Sequence, residues 1–244
     1  TGERRVNTNA QVKFYKFNTR ALTEEDLRHE FKAHKALSSE EVPRICKEKG
    51  SRQSVSRTIC AFLNTGVGGT VYLGIRDGGI IKGLHLTEYQ KDHLMLSLEN
   101  LMTRYKPQVP KHMYELRFVP VITEGAPEPT ENCNMSRGRL KPHDLQTSKH
   151  CWCENESTAQ IDVGEVVQRY VVEIEVFAWD STDPRNESLN CTLMGIHPMF
   201  DNEEGMCFVR GQGGNIRCTI LDVVDMTRQE VKAYYARSNK ERAA

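Results

Sequence analysis

The stretch that decides the fold comprises residues 61–78 and reads AFLNTGVGGTVYLGIRDG. It joins the end of an apolar helical repeat to a glycine turn and then to a β-rich run. Asp77 follows that run, and a helix, a turn and a strand would bring it back towards Glu25 and Glu30, which precede the helix. Three carboxylates that met in this way would hold a hard divalent cation such as Mg²⁺ or Mn²⁺.

The glycines at residues 66–69 allow two interpretations. A phosphate-binding loop of the Walker type needs a Gly-Lys-Ser/Thr sequence that opens a helix. Here the glycines follow a helix and open a strand. The sequence therefore favours a glycine that ends the helix in the left-handed conformation, and not a nucleotide site.

Outward from this stretch, the periodicity predicts an α+β domain with a mixed or antiparallel sheet and two to three packed helices. The helices are expected at 54–63, 87–105 and 226–236, with a capped helical turn at 22–29. The strands are expected at 29–33, 71–75, 80–84, 113–122, 170–177, 206–210 and 215–219. Residues 1–20 are interpreted as an N-terminal extension of a single domain over 21–240. A long insertion at about 123–168 lacks periodicity and is expected to be mostly loop.

Composition limits the class of protein. The formal net charge of the 244 residues is zero, so any polyanion site must be a local patch. Apolar runs long enough to cross a bilayer are missing from the sequence, so we expect no membrane association. Cys46 and Cys60 lie in apolar contexts and are expected to be buried thiols. We therefore expect an intracellular setting, cytoplasmic or nuclear.

Two further groups of residues are candidates for binding. His150, Cys151 and Cys153 could hold zinc together with one of Cys133, His143 or Cys191, although free loop cysteines are the alternative. Basic residues outnumber acidic ones after the first acidic segment and are candidates for RNA contacts, with an ordinary solvated surface as the alternative. They are Lys35, Arg44, Lys47, Lys49, Arg52 and Arg57.

Five segments in this order give the chain its resemblance to a known family. They are residues 30–32 (EFK), 61–65 (AFLNT), 68–77 (GGTVYLGIRD), 82–84 (KGL) and 208–219, a late hairpin. Taken together they resemble the Schlafen family and its AlbA_2 domain, and the chain is most similar to the single-lobed members. The resemblance implies a single Schlafen-type lobe.

Schlafen lobes of this type are metal-dependent endoribonucleases that act on tRNA, rRNA or small-RNA precursors. The resemblance implies that Glu25, Glu30 and Asp77 bind Mg²⁺ or Mn²⁺ as the catalytic acids, with Lys32 beside them. Glu24 competes with Glu25 for its position, and Asp77 has the alternative role of a turn residue. The resemblance also implies RNA as the ligand and a homodimer or a complex with a related subunit. The alternative function is a non-catalytic RNA-binding or assembly subunit of the same fold.

The chain departs from the family pattern in two places. Two residues, Gly66 and Val67, separate the Asn-Thr and Gly-Gly pairs, where the family usually has one. Many Schlafen proteins also bind a structural zinc through a His-x-Cys pair and a later Cys-Cys pair. Here His112 has no cysteine near it and the sequence contains no Cys-Cys pair, so that zinc site is expected to be absent.

Overall fold

A computed structural model gives the architecture of most of the chain. It describes residues 13–50, 52–127, 141–145, 148–164, 167–189, 194–212 and 214–243. The strands are β1 (Tyr15–Lys16), β2 (His29–Lys32), β3 (Gly69–Leu73), β4 (Leu84–His85), β5 (Tyr114–Ile122), β6 (Arg169–Val176), β7 (Cys207–Gly211) and β8 (Gly214–Cys218). The helices are α1 (Arg44–Glu48), α2 (Val55–Thr65), α3 (Glu88–Thr103), α4 (Trp152–Asp162) and α5 (Ile220–Ala243).

The main sheet is mixed, which confirms the α+β class. Its order is β1-β5-β6-β3-β2, and β4 also pairs with β6. The pairs β1–β5 and β2–β3 are parallel, whereas β6 runs antiparallel to β3, β4 and β5. A separate hairpin of β7 and β8 packs against α2. The sheet therefore places β2, which carries Glu30, directly beside β3, which leads to Asp77.

The two faces of the sheet pack against different parts of the core. Val172 and Ile174 of β6 belong to the large core cluster that includes α2 and α3. Val171 alternates to the other face and joins a smaller cluster with Phe31 and Tyr72. Helix α2 has nine buried residues among its 11, so it is a central core helix.

The glycine turn after α2 has the helix-ending role that the sequence favours. Gly66 adopts φ 73° and donates its N–H to the carbonyl of Leu63 at 3.1 Å, which confirms the C-cap prediction. Gly68 also has a positive φ, and a Cβ atom there would lie 2.4 Å from the backbone oxygen of Val176. The turn can approach β6 this closely only because the residue has no side chain.

The segment before β2 differs from the expected helical turn at 22–29. Residues 22–28 form bends and isolated coil. The Asp26 carboxylate accepts hydrogen bonds from the backbone N–H groups of Arg28 at 2.7 Å and His29 at 2.8 Å. This Asx-type turn competes with helix formation and directs the chain into β2.

Two expectations about chain organisation also need correction. There are five α-helices in the described ranges, not two to three, because α1 and α4 form where the sequence shows little periodicity. Helix α4 lies inside the expected loop insertion at 123–168; residues 128–140 of that insertion are outside the described part. Residues 15–16, which we assigned to the N-terminal extension, form the edge strand β1 of the sheet.

The predicted turn at Asp77 is present, but its return differs. Arg76 donates its N–H to the carbonyl of Ile80 at 3.0 Å, which closes the turn. The return begins as predicted, with an antiparallel bridge between Ile81 and Ile75, but the strand that follows is β4, which pairs with β6 through Leu84 and Tyr170. None of the helices in the described ranges has the length and apolarity needed to cross a bilayer.

Candidate functional site

Glu30 lies on β2 between two cations. Its Oε2 pairs with Nη2 of Arg210 at 2.5 Å, and its Oε1 pairs with the ammonium of Lys32. The side chains of Glu30 and Lys32 are only 12% and 16% exposed, so water screens these pairs weakly. Both carboxylate oxygens of the expected metal ligand are therefore already engaged by positive groups.

Arg210 holds this region together. Its side chain is 3% exposed, and its guanidinium donates to the carbonyl of Asp26 at 2.8 Å and to the carbonyl of His29 at 3.2 Å. Both of these bonds come from Nη2, and Nη1 donates to Oδ1 of Asn215 at 3.0 Å. Arg210 therefore ties β7 and β8 to the segment that begins β2. Sequence reasoning gave it no role, although an arginine inside the apolar run of a late strand was a usable signal.

Glu25 and the Asp77 turn border one small surface cavity. The cavity has a volume of about 220 Å³, and its walls include Glu25, Phe31 and Gly78, the residue after Asp77. Glu25 Oε1 accepts the backbone N–H of Phe31 at 3.0 Å, while Asp77 is exposed. Glu24 also lines the cavity and pairs with Arg20 at 3.4 Å.

Glu30 faces away from that cavity. Successive side chains of a strand point to opposite faces, and the neighbouring Phe31 lines the cavity. Within the described part of the chain, Glu25, Glu30 and Asp77 are not among the groups whose ligand atoms all lie within 4.8 Å of one another. The structure therefore places Glu25 near the Asp77 turn and keeps Glu30 on the Arg210 side.

The expected RNA-binding residues fall into two sets. Lys35 pairs with Glu154, Arg44 pairs with Glu48 at 2.8 Å, and Arg57 holds Glu204 through two hydrogen bonds of 2.8 and 3.0 Å. The others make no ion pair with any described residue and are exposed on or beside α1. These free cations are Lys47, Lys49 and Arg52.

The exposed cations on and beside α1, called the basic surface below, also affect the protonation of a histidine that follows β2. The pKa of His34 falls to about 4, mainly because the side chain is partly buried and further because Arg52 and Lys32 lie nearby. His34 is therefore neutral at pH 7, and its Nδ1 accepts the N–H of Ala36 at 3.2 Å. The positive groups around His34 extend the basic surface from α1 to the ion pair of Glu30.

Histidine and cysteine side chains form a second cluster, which could hold a metal. It consists of His93 on α3, His143 in the loop before α4, and Cys151 and Cys153 at the start of α4. Their ligand atoms all lie within 4.8 Å of one another. The sequence prediction correctly included Cys151 and Cys153 and named His143 as a possible partner. His150 is not part of the cluster, and His93 was missed because it lies about fifty residues earlier.

The protonation chemistry of the cluster follows from burial. Burial and the nearby His143 lower the pKa of His93 to about 4, so its imidazole is neutral at pH 7. Burial and contact with Cys151 raise the pKa of the Cys153 thiol to about 12. Nε2 of His93 is buried and has no hydrogen-bond partner among the described residues. In the absence of a cation, His93 therefore carries a neutral imidazole and Cys153 a protonated thiol.

His112, the histidine that lacks the cysteine partner of the family's zinc pattern, lies away from this cluster. Its Nε2 is 2.6 Å from Oδ1 of Asn186, in the short 3-10 segments next to β5 and β6. The four-residue cluster is built from α3, α4 and the loop before α4, which are different elements.

One comparison with known proteins bears on this chain. The sequence profile of the Schlafen, AlbA_2 family matches residues 25–219, which is most of the chain. The matched span begins at Glu25 and includes Glu30, Lys32, Asp77 and Arg210. It also includes the histidine and cysteine cluster.

Proposed function

Because the chain belongs to the Schlafen family, with an AlbA_2 domain over residues 25–219, we propose that it is a metal-dependent endoribonuclease that binds and cuts structured RNA. The observation that supports this most directly is the position of Glu25 at the cavity beside the Asp77 turn. A backbone hydrogen bond joins the segment before Glu25 to the Asp77 turn, because Ala21 donates its N–H to the carbonyl of Gly79 at 2.8 Å.

The donor types fit a hard divalent cation. Glu25, Glu30 and Asp77 offer only carboxylate oxygens, which Mg²⁺ and Mn²⁺ prefer. A bound cation of this kind would supply charge stabilisation at a phosphate and lower the pKa of a water. For Glu30 to take part, its side chain has to exchange Arg210 or Lys32 for the cation. Glu30 would also have to leave the face of β2 on which Arg210 lies, so Glu25 and Asp77 are the acids that the cavity offers to a cation without rearrangement.

RNA binding rests on the free cations of α1. Lys47, Lys49 and Arg52 are exposed and keep their charge available for phosphates. Because the whole chain is neutral, this local surface and not a global field would attract the RNA. We propose that it grips the RNA backbone, with Lys32 at the end nearest the acids.

The test of catalysis uses Asp77, whose side chain is exposed and lies in a turn. We expect the wild type to cut a folded tRNA in the presence of Mn²⁺. Asp77→Asn and Glu25→Gln should each lower the rate by about 100-fold or more. Glu24→Gln is the matched control, because it removes the adjacent acid of the same cavity and should leave the rate within about twofold of the wild type.

Two results would contradict the catalytic proposal. One is equal cleavage by the wild type and Asp77→Asn, which would reveal a contaminating nuclease. The other is loss of activity in Glu24→Gln with full activity in Glu25→Gln, which would assign the position to the neighbouring acid. Glu30→Ala is a poor choice for this experiment because it would leave the buried Arg210 without its anion.

A second candidate function has its own supporting observation. Glu30 is held on both oxygens by Lys32 and Arg210, which is the arrangement expected of a structural ion pair. This favours a non-catalytic RNA-binding or assembly subunit. In that case the wild type would bind tRNA and would leave it uncut at every Mn²⁺ concentration tested.

We also propose that the lobe works with a second lobe, as a homodimer or in a complex with a related subunit, inside the cytoplasm or nucleus. Light scattering of the purified chain with and without tRNA tests the first form. A particle of one chain in both samples, together with no partner recovered from the source cell, would contradict the proposal.

A further inference from the structure

The cluster on α3 and α4 has the features of a complete metal site. We infer that His93, His143, Cys151 and Cys153 bind one Zn²⁺ in a closed, four-coordinate site that fastens α4 and its preceding loop to α3. This inference does not depend on the proposed nuclease activity, because none of the four residues belongs to the acidic site.

The distances between ligand atoms agree with tetrahedral zinc. With Zn–N near 2.05 Å and Zn–S near 2.3 Å, a tetrahedron places two nitrogens about 3.3 Å apart and a nitrogen and a sulfur about 3.6 Å apart. Nδ1 of His93 lies 3.3 Å from Nδ1 of His143. Sγ of Cys153 lies 3.6 Å from Nδ1 of His93, and Sγ of Cys151 lies 3.2 Å from Nδ1 of His143. The first two distances match this tetrahedron and the third is about 0.4 Å shorter, so a small adjustment of Cys151 would complete the coordination.

A carboxylate orients one of the histidine ligands. Nε2 of His143 is 3.1 Å from Oδ2 of Asp92, so a proton on Nε2 leaves Nδ1 free to bind the cation. The ring of His143 also stacks on Trp152 at 5.0 Å, and Nε1 of Trp152 donates to the carbonyl of Pro142 at 3.1 Å. These contacts fix both the orientation of the ring and the path of the loop that carries it.

The start of α4 suits cysteine ligands. Cys151 is the N-cap residue of α4, and Cys153 lies in its first turn. The positive end of the helix dipole and the free backbone N–H groups there stabilise thiolates. Zn²⁺ displaces one proton from each thiol to the solvent, so the cation, two thiolates and two neutral imidazoles sum to zero charge. That neutrality suits a site whose cysteines are 2% and 1% exposed.

The ligand set favours zinc and a structural role. Two thiolates and two imidazoles are the donors of structural zinc sites, whereas Mg²⁺ and Mn²⁺ prefer oxygen. All four positions are filled by protein atoms, so no position is open for a substrate. The other contacts between α3 and α4 include the edge-to-face ring pair of Tyr89 and Trp152 and a hydrogen bond that Ser157 donates to Oε1 of Gln90 at 3.1 Å. A cation at the cluster would add a link from α4 and the loop before it to α3, beside these contacts.

The experiment measures zinc in the purified full chain under reducing conditions. We expect about one zinc per chain in the wild type and less than about 0.2 in Cys153→Ser and in His93→Gln. His150→Ala is the matched control: it removes an exposed histidine immediately before Cys151 that lies outside the cluster, and it should keep the zinc. Should the ligand variants fail to fold, the wild type alone still tests the inference. Its metal-free form should bind Co²⁺ with the visible spectrum of a tetrahedral site with two sulfurs and two nitrogens.

The inference is overturned if the wild type carries no zinc and its metal-free form gives no tetrahedral Co²⁺ spectrum. It is also overturned if His150→Ala loses zinc while His93→Gln retains it. Each of these results is independent of RNA cleavage, so the zinc site and the nuclease proposal can fail separately.

Discussion

Replacing Arg210 with methionine tests whether the buried ion pair with Glu30 organises the acidic segment. Methionine keeps much of the length and apolar volume of arginine but removes every donor. The substitution leaves the carbonyls of Asp26 and His29 without the guanidinium that donates to them. Glu30 keeps Lys32 as its remaining cation.

The magnitude follows from these losses. Removing one partner of a buried ion pair costs about 3–5 kcal/mol. We expect Arg210→Met to lower the free energy of unfolding by about 3 kcal/mol, near the lower end of that range. Lys32 still compensates the charge of Glu30, and the Glu30 side chain is 12% exposed. Glu30→Gln should cost less, about 1–2 kcal/mol, since an amide oxygen can still accept from Arg210. In the double variant, we expect a coupling of about 1–2 kcal/mol between the two positions.

Urea unfolding of the wild type, both single variants and the double variant gives these free energies of unfolding. The exposed pair of Arg44 and Glu48 on α1 provides a matched control cycle, with an expected coupling of about 0.5 kcal/mol or less. The reasoning is refuted if Arg210→Met costs less than about 1 kcal/mol, or if its coupling with Glu30 equals that of the exposed pair.

Two more predictions concern the glycine turn and pH. Gly68→Ala should lower the free energy of unfolding by about 3 kcal/mol or more, because the new Cβ would meet the carbonyl of Val176 at a position with a positive φ. Gly78→Ala is the control, since Gly78 also has a positive φ but faces open space, and it should lower the free energy of unfolding by about 1 kcal/mol. Equal urea midpoints for the two variants would contradict this prediction. His34 is neutral in the folded chain down to pH about 4, whereas in the unfolded chain it binds a proton below about 6.5. As the pH falls from 6.5 to 4, only the unfolded chain gains this proton, so the folded state becomes less stable relative to the unfolded state. Lowering the pH from 7 to 5 should therefore reduce the free energy of unfolding of the wild type by about 1–2 kcal/mol more than that of His34→Gln. Parallel plots of stability against pH for the two proteins would contradict this prediction.

The parts of the fold that could be predicted from the sequence are those in which residues 61–78 have strong backbone preferences. The helix that Gly66 ends, the strand after it and the Asp77 turn were each recognisable, because glycine and Asp-Gly have strong backbone preferences. The segment around Asp26 was misjudged because its side chain caps a local turn, which resembles a helix start in sequence. Helix α4 was missed because it has few buried residues and depends on contacts with α3.

In the candidate sites, sequence reasoning also missed residues that are distant in sequence but close in space. Cys151 and Cys153 were identified from their spacing, but His93 comes from another helix and no local pattern marks it. Arg210 is likewise brought to Glu30 by the packing of β7 on α2 and not by sequence distance. Ligands and ion-pair partners that are distant in sequence depend on tertiary packing, which periodicity does not report.

The affinity of the chain for a folded tRNA, measured against salt concentration, tests the RNA-binding account whether or not the RNA is cut. The test variant replaces the free cations Lys47, Lys49 and Arg52 with glutamine. The matched control replaces three other exposed cations that make no ion pair with a described residue, Lys106, Lys232 and Arg237, with glutamine.

Each phosphate contact contributes roughly 0.7–0.9 to the slope of log affinity against log salt. We expect the test variant to bind more weakly at low salt and to lose about 2 to 3 from the magnitude of the slope. The control variant should keep the slope of the wild type. A wild-type slope near zero, or the same loss of slope in both variants, would contradict the claim that this lobe binds RNA through the surface of α1.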